Sequence, residues 1–207
     1  MTVHAWALFC MTETVLCLSP GPSALLIISL ALTRGQRAGI SATAGVLAAN
    51  ALYFLLSASG LIALHALSAE VFLAIKWAGA AYLIWLGTRT IVRSFTQSGS
   101  EPDFPVGASG RRAVWQGFVT QGANPNLLVY FTAILPQFVD PAHPLPGQVA
   151  ILACSSFVIE FTVLSVYAAL SFRASRRVSA RLRPVAERVG GGLLVAAGAG
   201  LASVRRA

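Results

Sequence analysis

Charge is what this chain has least of. Only 11% of its 207 residues are Asp, Glu, Lys or Arg, against roughly a quarter in an ordinary soluble domain. A water-facing globule is therefore excluded, and the mean hydropathy of +0.72 points to a chain embedded in a bilayer. Lysine is nearly absent: Lys76 is the single Lys beside fourteen Arg. The net charge of +8 would suit nucleic acid if it formed one basic face. The arginines instead lie between apolar runs, so no nucleic-acid partner is expected. Cysteine is scarce and odd in number, and Cys10, Cys17 and Cys154 all fall within apolar runs, which argues against a disulfide framework. Neither an HExxH helix pair nor a GxSxG nucleophile is present, so the reading is not an enzyme and implies no cofactor. The opening MTVHAW has no Lys or Arg and no small-x-small cleavage site follows it, so a cleavable signal peptide is not expected.

What the chain has in abundance is apolar runs, at about 3–33, 38–64, 71–92, 113–139, 148–172 and 189–204. Roughly twenty apolar residues cross a bilayer core as a helix. The sixth run is short, and its start is expected to reach back towards Pro184. Arg34 and Arg37 lie after the first run, Arg89, Arg93, Arg111 and Arg112 after the third, and Arg173, Arg176, Arg177, Arg181, Arg183 and Arg188 after the fifth. Twelve of the fifteen basic residues thus fall on one side, expected to be the cytoplasm. Six spans then put both termini outside. Arg205 and Arg206 run against this pattern, and Lys76 is expected to snorkel to the outer surface. The polar, Gly-, Pro- and Ser-rich segment TQSGSEPDFPVGASG reads as a cytoplasmic linker. It divides the chain into a three-helix unit at 1–95, a linker at 96–112 and a second three-helix unit at 113–207. An odd number of spans per unit makes the two units inverted repeats.

The first run is too long for one straight span, about 45 Å as a helix, and it holds LSPGPS at its centre. Two prolines and a glycine break a helix there. At an offset of 103 residues, GPSALLI (21–27) falls opposite NPNLLVY (124–130). Both read as a cap residue, a Pro at the first helical position and an apolar run. The fold expected is an all-α integral membrane protein of six transmembrane helices, with the first and fourth helices broken. Paired interruptions in inverted halves point to a transporter's binding site. Free N–H groups at the new helix starts suit a carboxylate, and the carbonyls around Leu18–Ser19 and Gln121–Gly122 suit an ammonium. Candidate substrate-binding residues are Ser19, Gly21, Pro22, Ser23, Asn124, Pro125 and Asn126, with Asn50 as a lone amide in the second run.

Glu13 and Glu160 lie within apolar runs. A carboxylate at membrane depth is costly and is read as a functional group facing the bundle interior. Glu160 is the candidate for carrying a proton or meeting a substrate amine, with Glu13 second. Cys10, Glu13 and Cys17 share a helical face and keep a rival reading open, export of a metal or other inorganic ion. His4, His65 and His143 sit near span ends, where hydration accounts for them.

LSPGP in the first run, KWAGAAYLIWLG at 76–87, and NPN followed by ILPQF at 134–138 resemble the lysine exporter/homoserine-resistance (LysE/RhtB) superfamily, and within it the homoserine and threonine efflux branch. The resemblance covers nearly the whole chain. It implies a six-span bacterial inner-membrane exporter of small amino acids or their derivatives, with proton coupling and an acidic residue in the fifth span, where Glu160 stands. The family's fourth-span motif commonly reads Asn-Pro-Lys; Asn126 replaces that lysine, removing a positive charge from the second break. Membrane lipid is the other expected partner, and a homo-oligomer is left open.

Overall fold

The computed structural model describes residues 1–59, 69–96, 106–124, 126–127, 130–140, 142–176 and 183–203. Every regular element among them is helical: α1 (Val3–Leu18), α2 (Pro22–Arg34), α3 (Gln36–Ala58), α4 (Ala69–Thr96), α5 (Val106–Gly122), α6 (Leu145–Arg176) and α7 (Arg183–Ser203). A π-helical turn (Tyr130–Ile134) and a 3₁₀ turn (Leu135–Phe138) lie between α5 and α6. Two of the helices, α3 and α6, are each long and apolar enough to cross a membrane, and α1 with α2 makes a third if the bent pair is one span. On α6 the residues Ile151, Val158, Phe161, Val166 and Leu170 face outward. Such an apolar exterior belongs in hydrocarbon.

The first helix break is where the prolines require it. Thr2 caps α1 by accepting the Ala5 N–H at 3.1 Å, and α1 stops at Leu18, ahead of Pro20. The ring of a proline inside a helix clashes with the preceding turn and offers no N–H. Pro22 then occupies the first turn of α2, where no donor is needed. The two helices meet at 52°. The next turn, from α2 into α3, runs through Gly35 at φ 89°, a left-handed conformation that glycine adopts without strain.

The second break is less regular than expected. The backbone leaves α5 at Gly122, and Asn124 accepts the Asn126 N–H on its side-chain oxygen at 3.1 Å. Pro125, expected to start a new half-helix, lies outside the described residues. The chain resumes as helix at Asn126 and Leu127, and from Tyr130 onward it runs in π and 3₁₀ turns. Pro136 sits in the first turn of the 3₁₀ segment, where it cannot donate a helical bond. One boundary also differs from the reading of the runs. Helix α5 begins at Val106, so the last part of 96–112 is helical. No proline follows Pro105 there, and a helix anchored by packing further along extends back freely. Helix α7 opens at Arg183, in keeping with a sixth run that reaches back towards Pro184. His65, Arg205, Arg206 and the side chain of Lys76 fall outside the described residues.

Small residues let the helices approach. A Cβ on Gly45 of α3 would run into the Val114 carbonyl of α5, and one on Gly117 of α5 into the Ala42 carbonyl of α3. The α4–α7 pair is built alike: a Cβ on Gly87 would lie 2.5 Å from the Gly191 carbonyl. These reciprocal close contacts are the small-residue interfaces by which helices pack without a hydrophobic driving force. Helices α3 and α6 are antiparallel, because Gly39 packs on Ala168 at one end and Phe54 on Phe157 at the other. Two apolar cores result. One gathers Leu26, Ile27, Leu30, Val46, Leu83 and Leu194; the other gathers Phe9, Phe54, Leu127, Phe131 and Leu152.

Candidate functional site

Both breaks open onto one cavity of about 370 Å³. Helix α1 brings Glu13, Cys17 and Ser19 to its wall, the start of α2 brings Gly21 and Ser23, α3 brings Asn50, and α6 brings Ser156 and Glu160. The far end of α5 and the second break add Gln121, Asn124 and Asn126. Of the residues expected from sequence, eight thus share this wall: Glu13, Ser19, Gly21, Ser23, Asn50, Asn124, Asn126 and Glu160. Pro22 is at the first turn of α2 beside them, and Pro125 is outside the described residues.

A chain of hydrogen bonds crosses the cavity between the halves. The Ser23 hydroxyl donates to the Gln121 side-chain oxygen at 2.5 Å. The Gln121 amide donates to the Asn50 side-chain oxygen at 2.9 Å, and the Asn50 amide donates to the Glu160 carboxylate. All four side chains are buried. Buried polar groups left unpaired are costly, and here each is satisfied by the next. A second, shorter group surrounds Glu13, whose carboxylate accepts the Ser156 hydroxyl at 2.6 Å and the Cys17 thiol at 3.9 Å. The Tyr130 hydroxyl is buried beside it.

The electrostatics follow from the residue list. Among the described residues the wall holds two carboxylates and no Lys, Arg or His. Two buried acids facing one space need a compensating cation. A proton or an ammonium supplies it, while the N–H groups at the start of α2 remain for an anion.

One carbonyl at each break accepts a hydroxyl: Leu18 accepts from Tyr167 at 2.9 Å and Gly122 accepts from Tyr53 at 3.2 Å, each keeping a second lone pair. The triad of Cys10, Glu13 and Cys17 does not close. Cys17 reaches Glu13, but Cys10 is absent from the cavity wall. Among the described residues no three of His, Cys, Asp or Glu gather to hold a metal.

Sequence reasoning missed Gln121, Ser156, Tyr53 and Tyr167 as side chains of the site. Gln121 carried a signal, a polar residue three before Asn124; the other three read as ordinary helix residues.

Residues 14–204 match the model of the LysE type translocator family. The homoserine/homoserine lactone efflux protein of Salmonella typhimurium is 31% identical over 215 aligned residues, covering 100% of both chains. The chain belongs to the LysE type translocator family. A leucine efflux protein of Salmonella choleraesuis is 28% identical over 152 residues, 72% of this chain and 70% of its own. An uncharacterized membrane protein of Vibrio cholerae is 32% identical over 180 residues, 86% of each chain. No solved structure matches. This translocator is a membrane protein.

Proposed function

We propose that this translocator is a secondary exporter of small amino acids or their derivatives, homoserine- or threonine-like, coupled to protons across the bacterial inner membrane. The observation that carries the reading is the buried Ser23–Gln121–Asn50–Glu160 chain across a cavity whose wall, among the described residues, has two acids and no base. The substrate carboxylate docks at the start of α2, at Pro22–Ser23, and beside Asn124 and Asn126. Its ammonium meets Glu160 or Glu13, and Glu160 exchanges that cation for a proton. The names of the relatives, which are efflux proteins for homoserine, homoserine lactone and leucine, support an amino-acid substrate.

The arrangement that goes with this reading is six spans in two inverted units, 1–95 and 113–207, joined by a cytoplasmic segment at 96–112 and rocking about the cavity. Its orientation has physical support. Gly110 near the start of α5 faces Ser41 near the start of α3, Gly35 lies against Phe172 near the end of α6, Thr33 packs on Gly190, and Arg188 bonds Ser94 at the end of α4. The arginine-bearing helix ends are thus gathered at one end of the bundle, which suits the cytoplasmic side and its anionic lipids. Both termini are then outside.

The test is export from cells loaded with a panel of dipeptides, comparing wild type, Glu160→Gln and vector. Wild type is expected to release a few small amino acids in a gradient-dependent manner. Glu160→Gln is expected to cut that release by on the order of 100-fold, the loss typical of a proton-handling group. Release by Glu160→Gln at the wild-type rate and pH dependence would remove Glu160 from the mechanism, and no release above vector by wild type would remove the amino-acid reading.

A further inference from the structure

The two helix breaks are held by a matched pair of tyrosines. Breaking a helix orphans the carbonyls of its last turn, and in each break one of these is taken by a tyrosine from the opposite half of the chain. Tyr167 of α6 donates to Leu18, the last residue of α1, and Tyr53 of α3 donates to Gly122, the last residue of α5. The exchange that maps the first break on the second also maps one contact on the other, since α1–α6 becomes α5–α3.

Their depths differ in an informative way. Asn50 and Glu160 touch and so mark one level on the antiparallel pair α3 and α6. Tyr53 lies three residues beyond Asn50 on the Phe54–Phe157 side, about 4.5 Å along the axis. Tyr167 lies seven residues beyond Glu160 on the Gly39–Ala168 side, about 10 Å the other way. Each is packed in a different core: Tyr53 against the cluster of Phe54 and Phe131, Tyr167 against that of Leu164 and Ala168. One hydroxyl therefore ties a broken helix to its neighbour above the cavity, and the other does so below it.

We propose that Tyr53 and Tyr167 are positioning residues of the transport site, two latches on opposite sides of the cavity, each of which must release its helix end for the cavity to open on its own side. The inference rests on the rocking mechanism proposed above. In the orientation given there, Tyr53 is the outer latch and Tyr167 the inner one. Removing either hydroxyl biases the protein towards the state open on that side, and substrate offered from that side then meets more of the competent form.

The experiment uses right-side-out and inverted membrane vesicles with radiolabelled L-homoserine and a panel of neutral amino acids, and reads the apparent KM from each face. Phe keeps both rings and their packing, so Tyr53→Phe and Tyr167→Phe are the variants, with the double variant as third. Tyr53→Phe is expected to lower the outer KM relative to the inner one by about fivefold, the effect of one hydrogen bond. Tyr167→Phe is expected to shift the ratio by a similar factor the other way, and the double variant to restore it. Equal changes on both faces, or none, would reduce the tyrosines to helix caps and overturn the proposal while leaving the exporter standing. Opposite shifts with the faces exchanged would keep the latches and reverse the orientation. A wild type that transports no amino acid from either face would remove the exporter reading and the latches with it.

Discussion

The two breaks occupy equivalent places in the chain and are built differently. At the first, α1 gives way to α2 across Ser19–Gly21, and α2 continues as a regular helix. Its contributions are small: Ser19, Gly21 and Ser23, with free backbone N–H groups. At the second, the chain turns through Ala123 and Asn124, restarts as helix at Asn126 and Leu127, and runs in π and 3₁₀ turns from Tyr130. There the contributions are side-chain amides, from Gln121, Asn124 and Asn126. One break thus presents backbone to the cavity and the other presents side chains. Two breaks of similar outline need not be chemically equivalent, because the small residues of one leave room for the long residues of the other. Ser23 and Gln121, joined at 2.5 Å, are that complementarity in one bond.

This contrast can be broken most severely at Gln121. Gln121→Ala leaves the Ser23 hydroxyl and the Asn50 oxygen without the partners they have now. The apparent KM for export is expected to rise by about tenfold, the usual cost of an orphaned buried polar group. Ser23→Ala removes a single donor and should raise KM by only a few-fold. Equal effects of the two changes would mean that Gln121 has no bridging role.

The next test separates backbone from side chain. Asn124→Ala deletes the oxygen that caps the Asn126 N–H and should cost about 1 kcal/mol of stability, seen as a lower unfolding midpoint in detergent. Gly21→Ala should leave that midpoint unchanged, since nothing lies within 4 Å of the added Cβ and φ is −85°. It should nonetheless raise KM by crowding substrate away from the start of α2. An unchanged KM would show that substrate does not approach the first break closely.

The smallest effect is expected away from both breaks, in the turn after the 3₁₀ segment. Asp140 accepts the Ala142 N–H and pairs with His143, each at 2.9 Å, and these contacts hold its carboxyl below the ordinary value of 3.8. A lowered folded value means its stabilisation is complete above the unfolded pKa and is lost as pH falls through the folded one. Asp140→Asn should therefore be slightly less stable than wild type at neutral pH, and the difference should vanish below about pH 4. A difference that persisted in acid would assign it to packing, with no part for charge.

Much of this was legible in one dimension. Mean hydropathy sets the solvent, Pro20 and Pro22 end a helix wherever they occur in one, and Glu13 and Glu160 stand out because acids are rare in apolar runs. These signals are local, so residue order alone determined an all-helical membrane chain with a break at LSPGPS and an acidic interior. The second break was legible in place but not in form, since the choice among α, π and 3₁₀ turns depends on what packs around Tyr130 to Phe138. Gln121, Ser156, Tyr53 and Tyr167 were not legible as site residues, because each acts through a partner far along the chain. Gln121 is 98 residues from Ser23 and 71 from Asn50, and Tyr167 is 149 from Leu18. Which hydroxyl meets which freed carbonyl depends on how the helices are rotated and how closely glycines such as Gly45 and Gly117 let them approach. Only the tertiary structure decided that, because hydrogen bonds act at about 3 Å and no periodicity in the sequence encodes a distance so short between residues so far apart.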